Sequence, residues 1–256
     1  MNKPQWITLG IAVFLVCGIY AATQNKVFGE KKRSAISAGE AHSHSDAVTV
    51  DSILFHAKEG LTKEQVARLS ELENSISRGD VANQKIHLYH QLARFWGDTA
   101  RLFAPYAWYT AEAARLENSE KSLTFAARLF LEGLKHEETA PIKQWEALQA
   151  KDLFERSLKM NPNNDSSKVS LGAVYLYGGL SSPMEGIGMI REVVSRDSTN
   201  LYAQMTLGEA SLTSGQMDKA IERFTTVVRL QPDNLEAIFR IAEIYERQEQ
   251  KAEAAD

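Results

Sequence analysis

The chain has 256 residues, 44% apolar and 24% charged, which suffices for one sizeable folded domain with a normal core and excludes a disordered chain. The net charge of −4 is uneven: Lys3, Lys26, Lys31, Lys32 and Arg33 against Glu30 give residues 1–33 a balance of +4, leaving −8 for residues 34–256. A body this acidic lacks the basic footprint of a nucleic-acid binder, and one cysteine, Cys17, excludes an intramolecular disulfide and a cysteine zinc site.

After a short tail, residues 1–5, the segment 6–22 reads WITLGIAVFLVCGIYAA and carries no charge. At 1.5 Å per residue it spans about 25 Å, near the lower limit for crossing a bilayer. Trp6 and Tyr20 stand near its ends, where amphipathic rings favour the interface. A single-pass transmembrane anchor is the favoured reading. A cleaved signal peptide competes with it, although Tyr20-Ala21-Ala22 is a poor small-x-small site. A lipoprotein signal ending at Cys17 also competes, although Val16 is bulky where a small residue is expected. The basic cluster Lys26, Lys31, Lys32 and Arg33 suits anionic headgroups and argues for a cytoplasmic domain. Bacterial proteins with this short tail commonly export the part beyond the anchor, so the expectation is a bacterial inner-membrane protein with its soluble domain in the periplasm.

Residues 23–50 read as a flexible linker, rich in Ser, Ala and Gly without a sustained apolar period. His42 and His44 lie in it with no further ligand spaced nearby, which favours solvated histidines over a metal site. Residues 51–85 read as a helical cap or a degenerate repeat half. Thr62 caps a helix there with Gln65 as its reciprocal partner. Val66, Leu69, Leu72 and Ile76 recur at helical spacing. Arg78-Gly79-Asp80 reads as the terminator of that helix, and not as an adhesion tripeptide.

From residue 86 onward paired amphipathic stretches succeed one another. Leu92-Ala93 and Trp96 pair with Ala107, Ala111 and Ala114. Leu123, Ala126, Ala127 and Phe130 mark a first helix, and Ala150, Phe154 and Pro162 mark its partner. The next unit starts at Asp165 with Leu171-Gly172 and Tyr175. It continues through Gly186, Ile190 and Val193 if two residues are inserted in the turn near GGLSSP. Residues 201–234 form one complete unit, and residues 235–256 restart it. Leu207-Gly208 aligns with Ile241-Ala242, Ser211 with Tyr245, and Ala220 with Ala254.

A period of about 34 residues built from two amphipathic helices resembles the tetratricopeptide repeat family. The connection HEETAPIKQW makes the unit around Phe130 and Phe154 too long for that period by about 11 residues. In the resemblance Gly208 and Ala220 are small because the two helices approach closely there. Phe224 fills the space between neighbouring repeats, Gly215 sits in the turn, and Pro232 ends the second helix. Leu171, Gly172, Tyr175, Leu207, Ala242 and Tyr245 are the other packing positions. The resemblance covers residues 86–256, most closely from 165 onward. It implies an all-α fold, a right-handed solenoid of antiparallel helix pairs with about four repeats, behind one amino-terminal transmembrane helix. The last repeat stops at Ala254 with its second helix unfinished, so the expectation is a fragment of a longer chain, a frayed end, or an end covered by a partner.

The resemblance further implies a concave groove lined by first helices. The groove residues would be Val169, Ala173, Leu176 and Tyr177, then Tyr202, Met205, Glu209 and Leu212, then Phe239, Glu243 and Glu246. Each of them has packing against a neighbouring helix as its alternative role. The lysine–asparagine clamp with which one subgroup binds chaperone tails is not matched. Thr124 and Arg128, Val169 and Ala173, and Met205 and Glu209 occupy those positions.

No motif for chemistry is found. Gly178-Gly179-Leu180-Ser181-Ser182-Pro183 lacks the lysine of a phosphate loop, and His87 and His90 lack the spacing and carboxylate of a zinc helix. His136-Glu137-Glu138 reads as a solvated surface cluster. No catalytic residue, metal or cofactor is therefore expected. The function expected is a membrane-anchored scaffold that binds partner proteins or peptides, with self-association left open. A periplasmic chaperone-like assembly factor for exported proteins, of the cytochrome-maturation or secretion type, is the alternative. A sensor attached to a catalytic domain beyond residue 256 is the third.

Overall fold

The computed structural model describes residues 48–78, 82–180 and 182–253, all within the compact unit Ser45–Asp256. The expected anchor at 6–22, residues 23–47 of the linker with His42 and His44, Gly79-Asp80 and Ala254 lie outside the described residues. Among the described residues every regular element is helical, and no helix is long and apolar enough to cross a membrane.

Helix α1, Val50–Glu59, starts with a reciprocal cap: Ser52 N–H donates to Thr49 Oγ1 and Thr49 N–H to Ser52 Oγ, each at 3.2 Å. Residues 49 and 50 thus already cap and open a helix, so the expected linker 23–50 runs slightly long. Helix α2, Lys63–Arg78, carries the capping box expected from the sequence. Thr62 N–H donates to Gln65 Oε1 at 2.9 Å and Gln65 N–H to Thr62 Oγ1 at 3.3 Å. Leu69 and Leu72 face the core, but Val66 is 44% exposed and drops out of the expected apolar face. The cause is that α2 packs on one side only, against α3 (Ala82–Arg94) and the π-helical turn Phe95–Ala100 after it. That turn drives Phe95 and Trp96 into the core, and the chain leaves it through Arg101 at φ 56°.

Four helix pairs come next among the described residues. They are α3 with α4 (Phe103–Glu117), α5 (Glu120–His136) with α6 (Ala140–Met160), α7 (Asp165–Tyr177) with α8 (Pro183–Arg196), and α9 (Leu201–Thr213) with α10 (Met217–Leu230). Helix α11, Leu235–Glu253, packs on α10 without a described partner of its own. Each pair packs within itself and then on the next. The first helices α5, α7 and α9 also touch in succession, which makes the stack a solenoid with its first helices side by side.

Small residues set the distance within each pair. A Cβ on Gly208 would lie 2.5 Å from Cε1 of Phe224, and one on Gly172 would lie 2.6 Å from Cγ1 of Ile190. A side chain at either site would push the pair apart, so glycine is required where the helices cross. Phe224 is fully buried and meets Ala237 and Ile244 of α11, so the same ring serves its own pair and the next helix. Gly215 makes the turn between α9 and α10 at φ 75°.

The junctions between pairs are built alike. Asn164, Asn200 and Asn234 each cap the next first helix, accepting from Ser167, Ala203 and Ala237 N–H at 2.9, 3.0 and 3.0 Å. These side chains satisfy backbone donors that the first helical turn leaves free. In the α7–α8 pair, residues 178–182 separate the helices, against 214–216 in the next pair, so the two inserted residues sit in the turn as expected.

The α5–α6 pair corrects an expectation. Its excess over the repeat period is not a long connection: only residues 137–139 join the helices. Instead α5 and α6 have 17 and 21 residues, against 13 and 14 in α9 and α10. Pro141 at the start of α6 has no backbone donor to lose there, so the stretch expected to be a connection continues as helix. Since Phe154 occupies the place of Phe224, the extra residues of α6 are 140–146, and those of α5 are 133–136. The hairpin tip overhangs its neighbours.

Candidate partner-binding recess

A recess of about 770 Å³ opens along the first helices α5, α7, α9 and α11. Its apolar surface comes from Leu134, Ala173, Leu176, Leu201 and Met205, with the rings of Tyr177 and Tyr202. Lys135 and Lys143 stand at the end formed by the α5–α6 overhang, and Glu209, Glu236 and Arg240 at the other.

Hydrogen bonds fix this surface. The Tyr202 and Ser170 hydroxyls are 3.1 Å apart, which ties the ring across from α9 to α7. Arg240 Nε donates to Glu209 Oε1 at 2.7 Å, and its Nη1 donates to Glu243 Oε2 at 3.0 Å. Glu243 in turn accepts from Arg247 at 2.6 Å. Burial raises the Glu209 carboxyl above its ordinary range while Arg240 pulls it back, and burial with the Glu209 charge raises the Tyr177 phenol. Tyr177 therefore stays a neutral hydroxyl that donates and accepts. The recess offers two rings, aliphatic surface, unlike charges at its two ends and no nucleophile paired with a base.

The structure sorts the residues expected in the groove. Ala173, Leu176, Tyr177, Tyr202, Met205 and Glu209 line the recess together. Val169 does not: it is fully buried with Ile190, Val193, Ala203 and Leu207, because that side of α7 is covered by α8 and α9. Leu212 is also core, packed with Ala220, Phe224 and Val227. Phe239 is 68% exposed outside the lining, Glu246 is exposed, and Glu243 bridges the two arginines.

Of the expected packing residues, Leu171, Gly172, Tyr175, Leu207, Gly208, Ala220 and Phe224 are buried. Pro232 is exposed in the turn two residues past the end of α10, where it terminates rather than packs. Ala242 and Tyr245 are exposed, Tyr245 by 50%, and are not packing residues in this structure. They sit where Gly208 and Ser211 sit one repeat earlier, but no described helix lies against that face of α11.

Sequence reasoning missed Leu134, Lys135 and Lys143, because the overhang that carries them reads as a connection. It also missed Glu236 and Arg240, which lie one repeat period after Tyr202 and Thr206; that period was the available signal. A second recess of about 620 Å³ lies at the other end of the stack between α3, α4 and α5, with Phe125 54% exposed in its wall. His90 in its wall approaches Glu117 at 2.7 Å, while His87, outside the lining, approaches Gln91 at 3.1 Å.

Residues 201–234, the span of α9, its turn, α10 and the junction after it, match the tetratricopeptide repeat family model. Residues 201–234 are thus a tetratricopeptide repeat, and the helix pairs before them share its packing. Among solved structures it is similar to MamA, residues 41 to end, from Desulfovibrio magneticus RS-1, with 22% identity and a TM-score of 0.45 over 69% of this chain and 90% of that one. It is also similar to TTC0263, a thermophilic tetratricopeptide protein of Thermus thermophilus, with 15% identity and a TM-score of 0.48 over 75% and 94%. YrrB, a tetratricopeptide protein with an unusual peptide-binding site, has 17% identity and a TM-score of 0.39 over 70% and 84%. No curated protein matches the chain in sequence.

Proposed function

We propose that this chain is a membrane-anchored interaction scaffold that takes an extended segment of a partner protein into the recess along α5, α7, α9 and α11. The recess carries the proposal: Leu176, Tyr177, Tyr202 and Met205 form one apolar strip between unlike charges at its two ends. Aromatic and methionine side chains supply contact area at little conformational cost, and flanking charges orient the segment. Residues 6–22 hold the scaffold at a bacterial inner membrane, with residues 51–256 on the periplasmic side. No catalytic step is part of the proposal.

A photoreactive residue at Tyr202, compared with one at exposed Arg229 on α10, tests the recess in native membranes. Adducts specific to position 202 that vanish in Met205→Glu are expected. Equal adducts from both positions, or survival of the adduct in the charged variant, overturn the proposal. Protease accessibility in spheroplasts tests the side of the membrane: digestion of the domain is expected, and protection until lysis places it in the cytoplasm. Suppressed aggregation of an unrelated unfolded protein, independent of Tyr202 and Met205, would mark a chaperone-like assembly factor instead.

A further inference from the structure

Glu146 is a carboxyl on α6 that is only 2% exposed, and its Oε2 has no hydrogen-bond partner. It lies at the base of the overhang, in the last of the residues by which α6 exceeds α10. Above it the chain has Gly133, whose missing Cβ would be 3.0 Å from Glu146 Oε2 and 2.8 Å from Cζ of Phe103. The Phe103 ring and the Glu146 carboxyl therefore share the space over one glycine. The ring, itself 40% exposed, stands on the α4 side of the carboxyl.

We propose that Glu146 is a proton-operated latch for the α5–α6 overhang, closed while its carboxyl is neutral and loosened when it ionises. A neutral carboxyl fits an apolar niche at modest cost. A carboxylate there leaves Oε2 with neither water nor a donor, and that oxygen regains solvation only if the tip opens. Burial first, and then the Glu137 charge, push this carboxyl up to about 7, while Lys143 pulls it down. The change thus falls in the neutral range instead of near pH 4.

The other ionisable groups around the overhang leave this assignment intact. Glu132 and Lys135 of α5 pair with each other at 2.8 Å. His136, Glu138 and, before α4, Arg101 are exposed, and Tyr177 of α7 stays neutral. On α4, Arg115 binds Glu112 and then Gln149 and Asp152 further along α6. None of these groups donates to Glu146 Oε2.

Leu134, Lys135 and Lys143 flank the latch and line one end of the recess, so its opening alters that end. The effect on a bound partner rests on the recess proposal; the latch does not, and its test uses no ligand. Amide exchange protection of residues 133–147 is measured in the full chain from pH 5.5 to 8.5, for wild type and Glu146→Gln. In the wild type, protection is expected to fall about tenfold per pH unit up to about 7 and then to level off, one proton being released on opening. In Glu146→Gln it stays flat. Equal slopes in the two proteins, or a flat wild type, overturn the latch.

A carbon-13 carboxyl titration of the wild type decides the matter even if the variant misfolds. A Glu146 midpoint near the ordinary carboxyl value overturns the proposal, and a midpoint near neutrality that drops in Phe103→Ala supports it. Failure of the latch leaves crosslinking from Tyr202 untouched, and failure of crosslinking leaves the pH response untouched, so the two proposals fall separately.

Discussion

Replacing Gly208 by alanine tests whether helix spacing sets the architecture. In an exposed helix interior, glycine to alanine stabilises by about 1 kcal/mol. At Gly208 the new methyl would lie 2.5, 2.8 and 2.9 Å from three carbons of the Phe224 ring. Ordinary contact begins near 3.4 Å. The ring must therefore retreat by most of an ångström, yet it is fully buried in one cluster with Ala237 and Ile244. Overpacking of this kind costs about 1–3 kcal/mol, which outweighs the propensity gain.

Gly188 is the internal control. It is an exposed glycine inside α8 with nothing within 4 Å of its would-be Cβ. Gly188→Ala should raise the midpoint of urea unfolding followed by helical circular dichroism, and Gly208→Ala should lower it. Adding Phe224→Leu to Gly208→Ala should cost less than the two changes summed, because the smaller side chain vacates the space that the methyl enters. If Gly208→Ala is as stabilising as Gly188→Ala, the glycine is not there for spacing and the reasoning fails.

Asn200→Ala should cost about 1 kcal/mol, since it leaves Ala203 N–H without its acceptor, and amide exchange should show the loss concentrated in the first turn of α9. Global stability should fall as pH rises from about 4.5 to about 7, because the folded chain keeps the Glu146 proton that the unfolded chain has released. The Glu146 contribution to the slope is about 1.4 kcal/mol per pH unit and levels off above pH 7, so the fall should be smaller in Glu146→Gln, as read from unfolding midpoints across that range. Phe224→Ala should cost about 3–5 kcal/mol and should loosen α11 together with α10, since the ring packs on both.

The period carries the solenoid. Gly208, Phe224 and Pro232 stand at positions whose physical roles are local, and the structure uses Gly208 and Phe224 at a helix crossing and Pro232 as a stop. The groove is legible only in part, because a first helix shows three kinds of face and spacing does not say which is wet. Val169 and Leu212 are apolar at groove spacing but are covered by α8 and α10. Ala242 and Tyr245 fail for the opposite reason: their roles depend on a helix beside α11 that the described residues do not include. The overhang escapes a reading of the sequence because His136-Glu137-Glu138-Thr139 is a polar break. Its polarity hides that Pro141 resumes a helix at once and that Trp145 and Glu146 go straight into the core. No pattern announces Glu146 as buried, since burial of a carboxylate depends on a glycine and a phenyl ring from two other helices.

A stack of identical repeats would present a bound chain with several equivalent positions, each shifted by one repeat, and the chain could slide between them. The α5–α6 pair removes that equivalence. At 1.5 Å per residue, the seven residues by which α6 outruns α10 raise a wall about 10 Å high at one end of the recess. That wall bears Lys135 and Lys143, where the opposite end bears Glu209 and Glu236 with Arg240, one net negative charge. An extended partner laid against the first helices has one end stop, one polarity and one place to sit.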